Sequence, residues 1–225
     1  IGPEKFDIYA RDNLLAFSNI LQISIEAGVK NFLYASSSSV YGNDSTFPLK
    51  ETEIQLKPIS YYGATKLSNE MLARSAAAYS KMRLRGLRFF TVYGPYGRPD
   101  MAYYRLINSA LSEGSFNLFG DGTKVRDFTY IDDITDTIRK LENHLERMNP
   151  GFNDVVNIAG GEPKSISQLI GAIESITNKT ISINKIEEDT KDVEKTIADR
   201  TYLESLIGSL NFTSFLDGVA KTVNW

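Results

Sequence analysis

An α/β fold built on a parallel sheet is what this sequence predicts, and three observations predict it. Segments of helical period alternate with short apolar runs, "NFLYA" and "GLRFFTV" among them, which is the rhythm of strands joined by helices. Those runs suit strands buried on both faces, the usual state of a parallel sheet. A chain of 225 residues with 42% hydrophobic residues can also bury a substantial core, as one large domain or two small ones.

The elements follow in order. Residues 11 to 27 carry Leu14, Leu15, Ile20, Leu21 and Ile25 near helical spacing, and Gly28 stands where a helix C-terminal cap belongs. "NFLYA" reads as the first strand, with the serine-rich "SSSSV" after it. Residues 61 to 81 form an alanine-rich helical pattern leading into "GLRFFTV". "YGPYGRPD" is a turn-rich loop by its Pro and Gly content. Beyond it the patterns predict a helix near 102 to 113, short strands near 115 to 119 and 124 to 130, and a helix from Asp132 to Leu145. "DVVNIA" reads as a strand, Ser165 with Gln168 as a capping box opening "ISQLIGAIESIT", and "ISINK" as a strand before two short helices that end at Trp225. No internal repeat or low-complexity tract interrupts this order.

Composition removes several classes of function. No apolar run is long enough to span a bilayer, and "IGPEKFDIYARDN" lacks the pattern of a leader peptide. The sequence has no cysteine, hence no disulfides or thiolate ligands, and the expected location is cytoplasmic. A formal charge of −3 without a basic run argues against a broad nucleic-acid surface. His144, the only histidine, lies in "ENHLERMNPG" and reads as part of a solvated helix end; one histidine suits neither a metal site nor a Ser-His-Asp triad. No G-x-G-x-x-G turn stands near the start, and "AGGEP" at 159 to 163 reads as a turn rather than a phosphate cradle.

The sharpest candidate is "PISYYGATK". Residues four apart share a helix face, so Tyr62 aligns with Lys66 and Tyr61 does not. An ammonium held near a phenol favours the phenolate, which is what a tuned acid/base requires. The serines at 36 to 39 end a predicted strand, where open α/β sheets bind ligands; they read either as a polar turn or as hydroxyls sharing a proton with Tyr62. Thr91 and Arg98 lie near the next strand end, with Arg98 either solvated or reaching an anion. Lys124 and Arg126 alternate on one strand face, and Arg126 reads either as a diphosphate clamp or as the partner of Asp127 or Asp121. Asp132 and Asp133 read as helix-start residues rather than metal ligands.

Taken together, "YASSSSVYG", "YYGATK", "GLRFFTVYGPYGRPDMA" and "GDGTKVRDFTYIDDI" closely resemble the extended short-chain dehydrogenase/reductase superfamily. Within it they are most similar to the NAD-dependent nucleotide-sugar epimerases and dehydratases, nearest the UDP-glucuronate 4-epimerase branch. The resemblance implies a Rossmann-like, doubly wound parallel sheet carrying the cofactor and catalytic residues over 1–98. It places a smaller α/β domain for the nucleotide sugar over 99–225, with segments near 124–160 returning to the first sheet. It implies NAD as cofactor and a UDP-sugar as substrate. It assigns Ser37, Tyr62 and Lys66 to catalysis, Tyr62, Lys66 and the backbone near Tyr93 and Pro95 to the cofactor, and Ser38, Ser39, Thr91, Arg98 and Arg126 to the substrate.

Dehydratases of this kind place an acidic pair where Ser38 and Ser39 stand, and the related decarboxylases a glutamate at Ser39. Thr91 with Arg98 resembles the uronate-handling variant. The alternatives are an epimerase of UDP-glucose, a sibling dehydratase or decarboxylase, and a binding fragment without catalysis. The family also implies a homodimer formed through helices near 12 to 27 and 63 to 81. Two departures stand out: Lys191 occupies a position usually held by glycine, and the portion bearing the glycine fingerprint is absent, so the functional protein is expected to be longer.

Overall fold

The structure, a computed structural model, describes residues 3–43, 45–187 and 193–225; Lys191 lies outside them. In chain order the elements are α1 (Phe6–Tyr9), α2 (Ala16–Glu26), β1 (Asn31–Ser37), α3 (Tyr61–Tyr79), β2 (Arg83–Phe89), β3 (Thr91–Tyr93), α4 (Ala102–Leu111) and β4 (Ser115–Phe119). Then follow β5 (Val125–Tyr130), α5 (Ile131–Leu145), β6 (Asn153–Ile158), β7 (Pro163–Ser165), α6 (Ile166–Thr177), β8 (Ser182–Ile186), α7 (Thr201–Ile207) and α8 (Phe215–Asn224). A π-helical stretch, Ala10–Leu15, joins α1 to α2, and a 3-10 turn, Ser38–Val40, follows β1.

Local chemistry explains several of these boundaries. Gly28, at φ 70, ends the first long helix in the left-handed conformation that glycine adopts at least cost. The amide of Val29 then reaches back to the Ser24 carbonyl at 2.9 Å. Ser60 caps α3 by accepting from the Gly63 amide at 3.0 Å. Ser165 and Gln168 exchange both bonds of a capping box at the start of α6.

The chain divides into two compact units. The first takes Ile1–Phe89, Asp136–Ile158 and Ala198–Leu210 and holds a parallel sheet of order β1-β2-β6. The second takes Phe90–Thr135, Ala159–Ile197 and Asn211–Trp225. It holds β3 beside β5 in parallel, β7 antiparallel to β5, and the parallel pair β4 and β8. The α/β class and the parallel sheet thus stand as the sequence predicts.

Three local expectations are corrected. "GLRFFTV" is not one strand: it breaks at the buried Phe90, with β2 pairing in the first unit and β3 in the second. No glycine or proline marks that break, since each half satisfies its amides against a different partner. "NFLYA" is not buried on both faces, and among the described residues β1 is the edge of its sheet. Tyr34 is buried with Leu21, Ala73, Ala77, Met82 and Leu84, whereas Ala35 is exposed. His144 is half-buried rather than solvated; its Nδ1 lies 3.4 Å from Arg85 Nη1, and burial together with that cation lowers its pKa.

Arg85 is the largest charged group sealed in the first unit, with no exposed surface. It sits opposite Asp154 in the β2–β6 register and grips that carboxylate through Nε at 2.7 Å and Nη2 at 2.8 Å. The Tyr202 hydroxyl donates to the same carboxylate at 2.7 Å, fastening α7 to the sheet. Breaking a buried pair by removing one partner strands the other charge. Asp154→Ala should lower the unfolding free energy by about 3–5 kcal/mol in urea titrations. Asp136→Ala, which removes only an exposed partner of Arg139, should cost less than about 0.5 kcal/mol. Equal losses would refute the importance given to the buried pair.

Candidate active site

The site in the first unit is assembled where α3 starts and β1 ends. Ser37 closes β1 in extended conformation and caps the 3-10 turn, its Oγ accepting from the Ser39 amide at 3.2 Å and donating to the Ser39 hydroxyl at 3.1 Å. The first turn of α3 rests directly on this serine turn. A Cβ added to Gly63 would come 2.5 Å from the Ser39 carbonyl oxygen, so only glycine permits that approach. The residue between Tyr62 and the remainder of "YYGATK" is therefore dictated by the packing.

With α3 seated in this way, its two tyrosines diverge. Tyr61 stacks on Phe6, ring centroids 4.0 Å apart and planes 8° from parallel. Tyr62 instead meets Tyr9 edge-on at 6.0 Å, and Lys66 Nζ lies 5.7 Å from the Tyr62 ring centroid. Lys66 also donates to the Ala35 carbonyl at 3.0 Å, which ties the helix to the strand that ends in Ser37. Burial lowers the Lys66 pKa below the usual lysine value, because desolvation penalises the ammonium. Behind them, Asn13 Nδ2 donates to Thr65 Oγ1 at 2.9 Å, and that hydroxyl donates to the Tyr62 carbonyl at 2.7 Å. The structure therefore brings Ser37, Ser38, Ser39, Tyr62 and Lys66 into one unit, with Tyr62 and Lys66 on one helix face.

Such a set can exchange a proton through a phenol and hold a ligand hydroxyl. An ammonium has three N–H donors, and one of Lys66's serves Ala35. The remaining donors and the Tyr62 phenol fit the hydroxyls of a ribose, so the residues present suit a nicotinamide cofactor. Among the described residues, no group of three or more His, Asp or Glu converges in a way that would hold a metal.

Sequence reasoning missed the buried polar cluster behind this site. Glu70, only 3% exposed, accepts from Ser36 Oγ at 2.5 Å and from Arg88 Nε and Nη2 at 2.9 and 2.7 Å. The available signal was its spacing, since Tyr62, Lys66 and Glu70 succeed one another at intervals of four residues.

The other predicted residues lie in the second unit. There a cavity of about 360 Å³ is lined by Thr91, Arg105, Phe116, Lys124 and Arg126, with Asp100 at its wall. Lys124 and Arg126 share this face, as their alternation predicts. Arg126 Nη1 donates to the carbonyls of Val125 and Glu194. Asp127 points inward and accepts from the Gly161 amide at 2.8 Å, while Thr129 accepts from Gly160. "AGGEP" is thereby pinned as a turn. The cavity thus combines cations with apolar rings, a lining suited to an anion carrying an aromatic group.

Tyr93 is a core residue, 2% exposed, its ring packed against Tyr103, Phe128, Tyr130 and Phe215. Pro95 is half-buried in the loop after it. Arg98 is exposed and grips Asp100 through Nε at 3.0 Å and through Nη2. Asp132 and Asp133 stand in the first turn of α5, as the sequence reads, and Asp133 also accepts from the Thr213 amide at 2.9 Å.

Comparison with known proteins places the chain among relatives of known family. The chain is 34% identical over 233 residues to a probable UDP-glucuronate 4-epimerase of Rhizobium meliloti, covering 96% of this chain and 68% of that protein. It is 33% identical to the UDP-glucuronic acid 4-epimerase of Bacillus cereus, solved with UDP-glucuronic acid and NAD, at a TM-score of 0.90 covering 100% of this chain and 69% of that one. MoeE5, solved with UDP-glucose and NAD, superposes at a TM-score of 0.91 with 32% identity, covering 99% and 73%. Residues 4–159, which include the serine turn, Tyr62, Lys66 and Arg126, match the pattern described as the NAD dependent epimerase/dehydratase family. The chain belongs to the NAD dependent epimerase/dehydratase family.

Proposed function

We propose that this chain carries the catalytic and substrate-binding residues of a UDP-sugar 4-epimerase that interconverts UDP-glucuronate and UDP-galacturonate. The observation that carries the proposal is Tyr62 and Lys66 on one face of α3, beside the strand that ends in Ser37. Tyr62, Lys66 and the backbone near Tyr93 and Pro95 would hold NAD, which when bound would supply the acceptor and source of the hydride at the sugar C4. Tyr62 takes the proton of the 4-hydroxyl, and the Lys66 ammonium stabilises the phenolate that makes this possible. Ser37 shares the hydrogen bond to that oxygen, while Ser38 and Ser39 hold neighbouring sugar hydroxyls. The resulting 4-keto sugar turns over, and Tyr62 gives the proton back once the opposite face has been reduced. Arg126 and the cationic cavity around it bind the diphosphate.

Serines at 38 and 39, in place of an acid pair, favour epimerisation over elimination of water. Thr91 and Arg98 are assigned to the C6 carboxylate, since a guanidinium binds a carboxylate through two parallel hydrogen bonds and a neutral hydroxymethyl cannot accept that geometry. Arg98 meets the Asp100 carboxylate through Nε and Nη2, a two-point contact of the kind this assignment calls for. The absence of cysteine suits the cytoplasm, the location we propose.

We also propose a homodimer formed through α2 and α3. Ile20 and Ile23 on α2 are 55% and 58% exposed, and Met71 on α3 is 51% exposed, an apolar surface that water covers at a cost.

Three outcomes test these proposals in the full-length protein. Tyr62→Phe should lower kcat with UDP-glucuronate by at least about a hundredfold, the usual contribution of general acid/base catalysis; a loss below about threefold would remove Tyr62 from the chemistry. Arg98→Ala should reduce kcat/KM for UDP-glucuronate by on the order of 10- to 100-fold, as expected for a charged hydrogen bond, and should affect UDP-glucose much less. Equal losses on both sugars would exclude the uronate assignment and leave the proton chemistry intact. In sedimentation equilibrium the wild type should be dimeric and Ile23→Glu monomeric; a monomeric wild type would dispose of the interface.

A further inference from the structure

Three residues from adjacent strands form a polar row one step before the active edge of the first sheet. Ser36 on β1 pairs with Arg88 on β2, and Arg88 pairs with Asn157 on β6. Ser36 is 2% exposed, Arg88 3% and Asn157 0%. Glu70 of α3 lies over the row, and its carboxylate receives both the Ser36 hydroxyl and the Arg88 guanidinium. The guanidinium also stands 4.8 Å from the centroid of the Tyr41 ring, whose hydroxyl donates to Asn157 Oδ1 at 2.7 Å. A buried ion pair is a weak source of stability, because desolvating two charges offsets most of their attraction. Its distinctive effect here is geometric: it fixes α3 against β2, and the Ser36 hydroxyl on the same carboxylate is what ties the end of β1 to that helix.

Two successive turns of α3 grip two adjacent residues of β1: Lys66 binds the Ala35 carbonyl, and Glu70 binds the Ser36 side chain. The next residue along the strand is Ser37. Building on the function proposed above, we infer that Glu70 and Ser36 are positioning residues, holding Ser37 and the Ala35 carbonyl that orients Lys66 in place relative to Tyr62. Neither contacts the sugar in this role. Losing the Ser36 hydroxyl frees the strand end to shift along α3, loosening Lys66 from its carbonyl and weakening its hold on the Tyr62 phenolate. Misplacements of this size cost rate rather than binding.

The test uses the NAD-loaded full-length protein with Ser36→Ala, Ser36→Thr and Glu70→Gln. Ser36→Ala keeps the ion pair intact, so it should fold with a Tm close to wild type. Its kcat on UDP-glucuronate should fall by about tenfold while KM stays within about twofold. The acidic limb of its kcat profile should move to higher pH, because a phenolate with less cationic support is harder to form. The charged and titratable groups that face Tyr62 include Lys66 on its own helix and Tyr9 across from it. Ser36→Thr restores the hydroxyl and should restore both readouts. Glu70→Gln should show the larger effect; should it not fold, Ser36→Ala decides alone.

An ultraviolet difference titration, each protein against its own Tyr62→Phe counterpart, reads the same shift without turnover. If the wild type does not act on UDP-glucuronate but Ser36→Ala still moves the Tyr62 titration to higher pH, the functional proposal fails and the positioning role stands. A folded Ser36→Ala with unchanged kcat and unchanged titration overturns it. So does a loss of kcat that merely follows Tm and is not rescued by threonine.

Discussion

The first turn of α3 touches the backbone of the serine turn, with room at Gly63 for a hydrogen and nothing larger. Most of the site depends on that contact. It sets the height of the helix above the end of β1, so that Lys66 meets the Ala35 carbonyl and Glu70 meets Ser36. It also decides how the adjacent tyrosines separate, Tyr61 onto Phe6 and Tyr62 toward Lys66. The Ser60 cap starts the helix at the point where this seat requires it.

Beneath the seat, β2 carries a buried arginine on each of its faces, because residues three apart in a strand point to opposite sides. Arg88 turns toward α3 and is neutralised by Glu70, while Arg85 is neutralised by Asp154 and approaches the Leu141 carbonyl of α5 at 3.5 Å. Each pair is bidentate, the geometry that gives a guanidinium directional preference. The Arg88–Glu70 pair therefore locks the sheet to α3 by charge as well as by the cluster around Leu84, while the Arg85–Asp154 pair ties β2 to β6. Apolar packing tolerates sliding, whereas two forked ion pairs do not, so the rigidity of the catalytic edge rests on them.

The second unit solves a different problem. Its core is a group of rings and aliphatic side chains centred on Tyr93, Phe128, Phe215, Leu106 and Ile173. Beside this core lies the cavity that holds Thr91, Lys124 and Arg126. Lys124 is 9% exposed and contributes to the lining of that cavity. Cations set among apolar rings favour an anionic ligand that also brings a flat apolar surface.

Much of this was legible from residue order because it depends on short-range geometry. The pairing of Tyr62 with Lys66, the ends of the helices at Gly28 and Ser165, and the turn at "AGGEP" each follow from spacing or backbone conformation over a few residues, and the structure retains them. The alternation of helix and strand, and hence the parallel class of the fold, is likewise a property of the chain read in order. Tertiary structure alone decided that "GLRFFTV" serves two sheets, that His144 faces Arg85, and that Asp100 grips Arg98. It alone assembled Glu70 with Ser36 and Arg88, whose positions are 34 and 18 residues away. A carboxylate on an amphipathic helix carries no local mark of the arginine it will meet. Only when strands fall into register and water is expelled does an unpaired charge become costly, and that cost selects the partner.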